Sequence, residues 1–238
     1  MEHRDGILIT SGRVPYAASL EMQAALAELR RGARIADLVW VLEHPPVYTV
    51  GRHGAREDLF VSDEHLATLG ASFHRVDRGG AMTWHGPGQT TVYVIRDLRP
   101  AGRIREHVEG LVASMGDAAA SVGVAGSAPG EDALGLYVEG RKLGSVGVRV
   151  RGGITTHGIA LNRDPDQMWF TLMTACAAPG VETTSIAREG GDPDRGRVDR
   201  ALVEALQERL GLRLAEGGWD DVPIPRDLAA SVEAGEPG

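Results

Sequence analysis

Twelve residues, Arg78 to Gln89, constrain the fold more than any other stretch of this sequence. Their sequence is RGGAMTWHGPGQ, and its four glycines and one proline exclude a continuous helix. The β-branched and aromatic residues that follow, 90–95, predict a strand. Two tight turns at a sheet edge would account for the glycines, but glycine also lets a backbone approach a ligand closely. We therefore expect a glycine-rich loop that enters a sheet and is a candidate binding loop.

The composition is that of an ordinary globular protein, with 42% hydrophobic and 24% charged residues in a chain of 238. The net charge of −8 argues against nucleic acid as a partner. No apolar run is long enough to cross a membrane, so no membrane association is expected. The first residues contain no apolar signal segment, and the single cysteine permits no internal disulfide. A cytoplasmic location is the expectation.

Strand and helix patterns alternate along the chain. Apolar runs at 36–42 and 90–95 predict buried strands, and the apolar spacing at 104–122 predicts a helix. The β runs 142–150 and 154–161 flank Arg-Gly-Gly, which predicts a three-residue hairpin that pairs Val150 with Ile154. Elsewhere we expect a loop at 127–132, a short helix at 164–173, a linker at 190–197 and a helix at 198–210. Hairpins and crossovers together predict an α/β (α+β) fold, a mixed β-sheet flanked by helices.

Lys142 is the only lysine of the chain, and the other 24 of the 25 basic residues are arginine. Arginine keeps its proton in proteins, whereas a desolvated lysine can lose one. The lone lysine therefore indicates a titratable amine, unless a base-composition bias removed the others. The expected register places Lys142 on the face of Val146 and Val150, the core side by pattern, where burial favours the neutral amine.

The groups able to perform chemistry are the Cys176 thiol, the Lys142 amine and two histidines beside glycines, His85 and His157. One cysteine and widely spaced histidines do not match a zinc site, so no metal is expected. The Walker loop and the dinucleotide fingerprint are both absent, which predicts no nucleotide cofactor. A cysteine nucleophile fits better, because a neighbouring amine would raise its thiolate fraction. The alternative is a buried unreactive thiol, the more frequent state of a free cysteine.

Four blocks of the sequence resemble, in the same order, the octanoyltransferases of lipoate biosynthesis, the lipoate–protein ligase B family. The blocks are 42–49 (LEHPPVYT), 78–89, 142–147 (KLGSVG) and 156–162 (THGIALN), and the similarity extends from about Pro15 to Ser185. The resemblance implies a fold related to the catalytic domains of biotin and lipoate ligases. We therefore expect a single catalytic acyltransferase domain at 1–215 and a peripheral, partly flexible C-terminal segment at 216–238.

By this resemblance, Cys176 is the nucleophile and Lys142 activates it, without a cofactor. Octanoyl would pass from an acyl carrier protein to Cys176 as a thioester, and then to a lysine of a lipoyl domain. No ATP is needed, because the donor thioester is already activated. His157 and Asn162 would support the site. The implied substrate-binding residues are Arg78, Gly79, Gly80, Ala81, Met82, Thr83, Trp84 and His85, then Ser145, Val146 and Gly147, then Gly158, Ile159 and Ala160.

The implied acceptors are lipoyl domains of 2-oxoacid dehydrogenase complexes or the glycine cleavage H protein. The sequence departs from the family at one point, because Ala175 and Ala177 flank the cysteine where the family usually has proline and glycine. This change bears on acyl preference or on the acceptor. Two alternatives stay open: a related cysteine acyltransferase with another acyl donor or a non-lipoyl amine acceptor, and a non-catalytic module that binds acyl groups or carrier proteins.

Overall fold

The computed structural model describes residues 3–99, 104–129, 135–174 and 181–233. Its strands are β1 (Arg4–Arg13), β2 (Asp37–Glu43), β3 (Val47–Val50), β4 (Ser72–Arg75), β5 (Met82–His85), β6 (Gln89–Ile95), β7 (Ser127–Pro129), β8 (Gly135–Val138), β9 (Arg141–Arg151), β10 (Ile154–Asn162) and β11 (Leu212–Glu216). Its α-helices are α1 (Tyr16–Arg31), α2 (Asp63–Thr68), α3 (Ile104–Ser121), α4 (Met168–Thr171), α5 (Arg195–Leu210) and α6 (Arg226–Glu233).

Two sheets organise the described residues. The larger sheet has the strand order β11-β1-β2-β6-β10-β9-β8-β7, and the smaller one has the order β4-β3-β5. In the larger sheet β1 is parallel to β11 and β2, whereas the remaining neighbours are antiparallel. The predicted mixed sheet with flanking helices is therefore confirmed.

The larger sheet buries both of its faces. On one face Val94 packs with Leu111 of α3 and Leu206 of α5 in a continuous apolar core. On the other face Trp40 meets Trp219 edge-to-face, with the ring centroids 4.9 Å apart, beside α1 and α6. This second layer of helices covers only part of the sheet. The smaller sheet lies over the rest, so a cleft forms between the two sheets.

Local sequence signals set the ends of the main helices. Pro15 precedes α1 and Gly32 ends it, both typical helix boundaries. Helix α5 begins earlier than expected, at Arg195, so the predicted linker at 190–197 is wrong in its last residues. The reason is an N-cap: the carboxylate of Asp194 accepts a hydrogen bond from the Arg197 N–H at 2.9 Å.

The register of the hairpin between β9 and β10 differs from the predicted one by one residue. Its turn has two residues, because Gly152 and Gly153 both adopt left-handed backbone conformations, with φ of 56° and 80°. Arg151 therefore pairs with Ile154, and the expected pairing of Val150 with Ile154 is wrong. Two consecutive glycines can form the tighter turn that other residues disfavour.

Because of a β-bulge, Lys142 faces the side of β9 opposite to the expected one. Between Gly144 and Lys142 the β9 strand advances two residues while β8 advances one, so Leu143 is the extra residue. The bulge turns Lys142 onto the face of Ser145 and Gly135, and away from the core face of Val146. A Cβ added at Gly135 would lie 2.8 Å from the Lys142 Cε atom, which places both on the same side.

Other differences concern short elements. The expected loop at 127–132 contains β7, the glycine-rich stretch contains β5, and the helix expected at 164–173 is only α4. Strand β11 was not predicted, because its side chains are mostly exposed and only its pairing with β1 defines it. Residues 175–180, which contain the expected cysteine loop, and 234–238, the last residues of the expected terminal segment, lie outside the described residues.

No helix in the described part of the chain combines the length and the apolarity that a membrane crossing requires. Within the C-terminal segment, Trp219 and Val232 are buried in the core beside α1. The division at residue 215 stays a prediction.

Candidate active site

A cleft of about 470 Å³, including its open mouth, lies between β5 of the smaller sheet and strands β6, β9 and β10 of the larger one. Three separate segments of the sequence meet there. The predicted site residues that line the cleft are Arg78, Gly80, Ala81, Met82, Thr83, His85, Ser145, Val146, Gly147, His157, Gly158, Ile159 and Ala160.

The other predicted site residues lie elsewhere. The Trp84 ring is fully buried and stacks on Trp169, with the centroids 5.6 Å apart, so it does not form a wall of the cleft. Gly79 borders a second groove, which Arg52 and Val108 also line. Asn162 and Lys142 are buried and are not among the residues that line the cleft, and Cys176 lies outside the described residues.

Three lining residues were missed from the sequence: Tyr16, Thr91 and Tyr93. Tyr16 begins α1 and reaches the cleft from the helix layer. Thr91 and Tyr93 share one face of β6 with Gln89, but every residue of that strand is buried. Because buried and exposed residues do not alternate along β6, the sequence pattern did not indicate which side of the strand faces the cleft.

Glycines let the walls approach closely. A Cβ at Gly158 would lie 2.2 Å from the carbonyl oxygen of Val92, closer than backbone permits. A Cβ at Gly147 would lie 2.9 Å from the Arg78 Cδ atom, so this glycine makes room for the arginine. The glycines of these two predicted blocks are therefore required by packing on the cleft side of the sheet.

The Arg78 side chain is buried and anchors the glycine-rich loop from inside. Its guanidinium donates to the carbonyl and the hydroxyl of Thr49, at 2.9 and 2.8 Å, and to the Gly79 carbonyl at 2.9 Å. The backbone N–H groups of Arg52 and His53 donate to the Arg78 and Gly80 carbonyls. The loop thus holds a fixed positive charge at the cleft.

A buried carboxylate fixes the other end of the loop. The Gly88 N–H donates to the Glu43 carboxylate at 3.0 Å, and Arg163 donates to the same oxygen at 2.7 Å. Arg13 bonds the second oxygen at 3.0 Å. The Gly88 carbonyl in turn accepts the Arg163 N–H. These contacts hold the Gly-Pro-Gly turn against the larger sheet.

The cleft is surrounded by histidines that are neutral. Desolvation lowers the pKa of His85 and His157 to about 3 and that of His44 to about 4. His44 Nδ1–H donates to the Val14 carbonyl at 2.6 Å, and its Nε2 accepts from the Tyr93 hydroxyl at 2.7 Å. Burial also raises the pKa of the Tyr93 hydroxyl well above its usual value. These rings therefore act as neutral hydrogen-bonding groups at pH 7.

His157 carries backbone strain at the cleft. Its φ is 60°, in the left-handed region that residues with a side chain rarely adopt. Its N–H donates to the Gln23 side-chain oxygen at 2.7 Å. Such a conformation costs about 1–3 kcal/mol, persists only where the surrounding structure enforces it, and is frequent at active sites.

Lys142 is buried, with 3% exposure, and its ammonium nitrogen lies 5.5 Å from the centre of the Tyr137 ring. Its backbone pairs with the segment that follows the undescribed loop. The Lys142 N–H donates to the Glu182 carbonyl at 2.8 Å, and the Thr184 N–H donates to the Lys142 carbonyl at 2.9 Å. The lysine and the segment beginning six residues after Cys176 are thus fixed to each other.

Outside the cleft, the buried His107 of α3 predicts that the folded protein loses stability at acid pH. Desolvation lowers its pKa from about 6.5 to about 3, and neither ring nitrogen has a hydrogen-bond partner among the described residues. The unfolded chain therefore binds more protons than the folded one between these two values. The stability that neutral His107 contributes is complete above pH 6.5 and is lost as the pH falls toward 3.

Between pH 7.5 and pH 5, His107 should lower the free energy of unfolding by about 2 kcal/mol, since each pH unit below the pKa of the unfolded chain costs ~1.4 kcal/mol. We expect His107→Leu to lack this loss. Urea unfolding of both proteins at the two pH values measures it. His65→Leu, at an exposed histidine on α2, is the control and should change nothing. An equal pH dependence in His107→Leu and in the unaltered protein would show that His107 is not the group responsible.

Comparison with solved structures defines the class of fold. Lipoate-protein ligase A bound with ATP superposes with a TM-score of 0.68 at 18% sequence identity, and the match covers 99% of this chain and 97% of that chain. The fold is therefore that of a lipoate–protein ligase catalytic domain.

Sequence comparison narrows this class to a family. Residues 15–207 match the model of the lipoyl protein ligase A/B catalytic domain. The mitochondrial octanoyltransferase LIP2 of Arabidopsis thaliana is 40% identical over 220 residues, covering 91% of this chain and 90% of the relative. An octanoyltransferase of Thiobacillus denitrificans is 39% identical over 200 residues, covering 84% and 88%.

The chain belongs to the lipoyl protein ligase A/B catalytic-domain family, and the resemblance found in the sequence is confirmed. The expected enzyme class, a transferase, is confirmed as well, and the family membership supports octanoyltransferase activity. The roles of the individual site residues stay predictions.

Proposed function

We propose that this protein transfers an octanoyl group from an acyl carrier protein to a lysine of a lipoyl domain, through a thioester on Cys176. One observation carries the proposal: the bulge at Leu143 turns the only lysine of the chain onto the sheet face whose residues Ser145 and Gly147 line the cleft. The titratable amine and the candidate acyl site thus share one surface of β9.

In the proposed reaction, the Cys176 thiolate attacks the carbonyl carbon of the donor thioester. A carbon–sulfur bond to Cys176 forms, the bond to the carrier's sulfur breaks, and the carrier leaves as a thiol after taking up a proton. The neutral acceptor lysine then attacks the Cys176 thioester. An amide forms, the amine loses its proton, and the cysteine thiol is regenerated. Neither step consumes ATP, because each starts from a thioester.

Lys142 is proposed to exchange the protons of both steps. As a neutral amine it accepts the thiol proton, and as an ammonium it returns a proton to the departing sulfur. Its burial favours proton exchange with a neighbour over exchange with bulk water. A lysine suits this role and an arginine does not, since the guanidinium keeps its proton.

The cleft is proposed to hold the octanoyl chain. Much of its wall is apolar, formed by Ala81, Met82, Val146, Ile159 and Ala160. Removing the apolar chain from water is favourable by about 25 cal/mol per Å². Backbone N–H groups of the glycine-rich loop are the candidate donors to the oxyanion of the tetrahedral intermediate. A fatty acyl thioester is the ligand class that this combination fits.

The acceptors that we propose are lipoyl domains of 2-oxoacid dehydrogenase complexes or the glycine cleavage H protein. The cytoplasmic location and the absence of a cofactor stay predictions. Ala175 and Ala177 lie outside the described residues, so their effect on acyl preference or acceptor also stays a prediction.

Mass spectrometry tests the function in two stages. Incubation with octanoyl acyl carrier protein is expected to add one octanoyl mass to the protein, and peptide mapping should place it on Cys176. Addition of a lipoyl domain should remove this mass and transfer it to the domain. Rapid acylation of Cys176 without transfer to any lipoyl domain would favour a different amine acceptor. Tight carrier binding without an adduct would favour the non-catalytic module.

A further inference from the structure

A chain of side-chain amides connects the glycine-rich loop to the segment that pairs with Lys142. Gln89 and Asn162 lie opposite each other in β6 and β10. The Gln89 amide donates to the Asn162 side-chain oxygen at 2.9 Å, and the Asn162 amide donates to the Thr184 carbonyl at 3.0 Å. Both side chains are at least 96% buried, so these bonds form without competition from bulk water.

Backbone carbonyls fix the orientation of both amides. The Thr184 carbonyl can only accept, so Asn162 must present its NH₂ group there and its oxygen to Gln89. The Gln89 NH₂ group also faces the Trp84 carbonyl, at 3.3 Å. The Gln89 oxygen is therefore left to accept from His85 Nδ1–H, at 2.7 Å. His85 then carries its lone pair on Nε2.

The backbone of Asn162 also bonds to the segment around Thr184. The Ile186 N–H donates to the Asn162 carbonyl at 2.9 Å, while the Thr184 N–H donates to the Lys142 carbonyl at 2.9 Å. Asn162 thus connects the segment that follows the cysteine loop, which itself pairs with Lys142, to a histidine of the cleft through Gln89.

We propose that Asn162 is a positioning residue, which locks the segment around Thr184 to β10 beside Lys142 and holds His85 with Nε2 as a hydrogen-bond acceptor. The inference rests on the proposed function, since it assigns the lock to the Lys142–Cys176 pair. An acceptor at Nε2 can bond an N–H or S–H donor in the cleft, which an Nε2–H group could not do. Small displacements of such positioned groups cost up to about 100-fold in rate.

Asn162→Asp tests the bond to Thr184 alone. The carboxylate still accepts from Gln89, but it cannot donate to the Thr184 carbonyl. When protonated, the carboxyl group donates again, and burial raises the pKa of such a group. We expect octanoyl transfer and iodoacetamide alkylation of Cys176 to fall about 10- to 100-fold at high pH, and to recover relative to the unaltered protein as the pH falls. Because the chain has one cysteine, alkylation reports that thiol alone.

Asn162→Leu tests the orientation of His85. It removes the 2.9 Å acceptor of the Gln89 amide and leaves only the longer 3.3 Å contact with the Trp84 carbonyl, so the amide can turn its NH₂ group toward His85 Nδ1. We expect the imidazole ¹⁵N shifts of His85 to show a mixture of both tautomers in Asn162→Leu and the Nδ1–H form alone in Asn162→Asp. Thr155→Val is the matched control, because it removes a buried 2.6 Å bond to the Val94 carbonyl elsewhere on β10.

Three results would overturn the inference: wild-type rates at all pH values in Asn162→Asp, an equal loss in Thr155→Val, or unchanged His85 shifts in Asn162→Leu. The alkylation and ¹⁵N measurements require no octanoyl donor. Failure of the unaltered protein to accept octanoyl would therefore count against the proposed function. The alkylation rates and the ¹⁵N shifts test the role of Asn162 independently of octanoyl transfer.

Discussion

Lys142→Met is expected to slow octanoyl transfer by about 10²- to 10⁴-fold, the range that a positioned acid–base group contributes. Methionine has a similar length and fills the buried space beside Tyr137, so the fold should be retained. The rate of octanoylation of a lipoyl domain, followed by mass spectrometry, measures the effect.

Lys142→Arg separates charge from proton exchange. Arginine keeps a positive charge that can stabilise a thiolate, but it cannot act as a base. We expect acylation of Cys176 to be less impaired in Lys142→Arg than in Lys142→Met, with turnover low in both. Undiminished turnover in Lys142→Met would remove the amine from the mechanism and leave Cys176 to act with another base.

Cys176→Ser is expected to reduce transfer on the order of 10³-fold or more, the scale seen when a catalytic nucleophile is removed. A serine hydroxyl is far less acidic than a thiol, so one lysine amine cannot generate a useful alkoxide. The octanoyl adduct should disappear from the intact mass. Binding of octanoyl carrier protein, measured by calorimetry, is expected to persist because the lining of the cleft is unchanged.

The double variant Lys142→Met with Cys176→Ser tests whether the amine and the thiol act together. If the two groups act as one unit, the double loss is close to that of Cys176→Ser alone and far below the product of the two single losses. Multiplying effects would indicate that the amine and the thiol serve separate steps. Such an outcome would contradict the pair as proposed.

Much of this fold was predictable because its signals are local. The proline and glycine that bound α1 and the apolar run of β2 each act within a few residues. The glycine-rich stretch also led directly to the cleft. The same stretch hid β5, because that strand exists only through its pairing with β3. Strand β11 likewise depends on a partner more than 200 residues away in sequence.

The expected facing of Lys142 was wrong because Leu143 is bulged within the pairing of β9 with β8. The hairpin turn, which has two residues rather than the expected three, shifts the pairing of β9 with β10 but changes the face of no β9 residue. The bulge depends on the neighbouring strand and does not appear in the alternation of β9 itself, so the sequence pattern placed Lys142 on the wrong face.

The contribution of Asn162 shows another limit of sequence analysis. Its block marked it as a supporting residue, but its role depends on Gln89, 73 positions earlier, and on a backbone carbonyl 22 positions later. Hydrogen-bond direction along such a path is a property of the folded chain. Tyr16 and Tyr93 reached the cleft in the same way, through packing between distant segments.

The burial of Lys142 has a further consequence for an enzyme that would join acyl groups to amines. The only ε-amine of the chain lies inside the protein, and every other residue among its 25 lysines and arginines is an arginine. A molecule charged with octanoyl would therefore present no surface lysine to a second charged copy. Self-acylation between copies, a side reaction open to most lysine-bearing proteins at high concentration, has no side-chain target here.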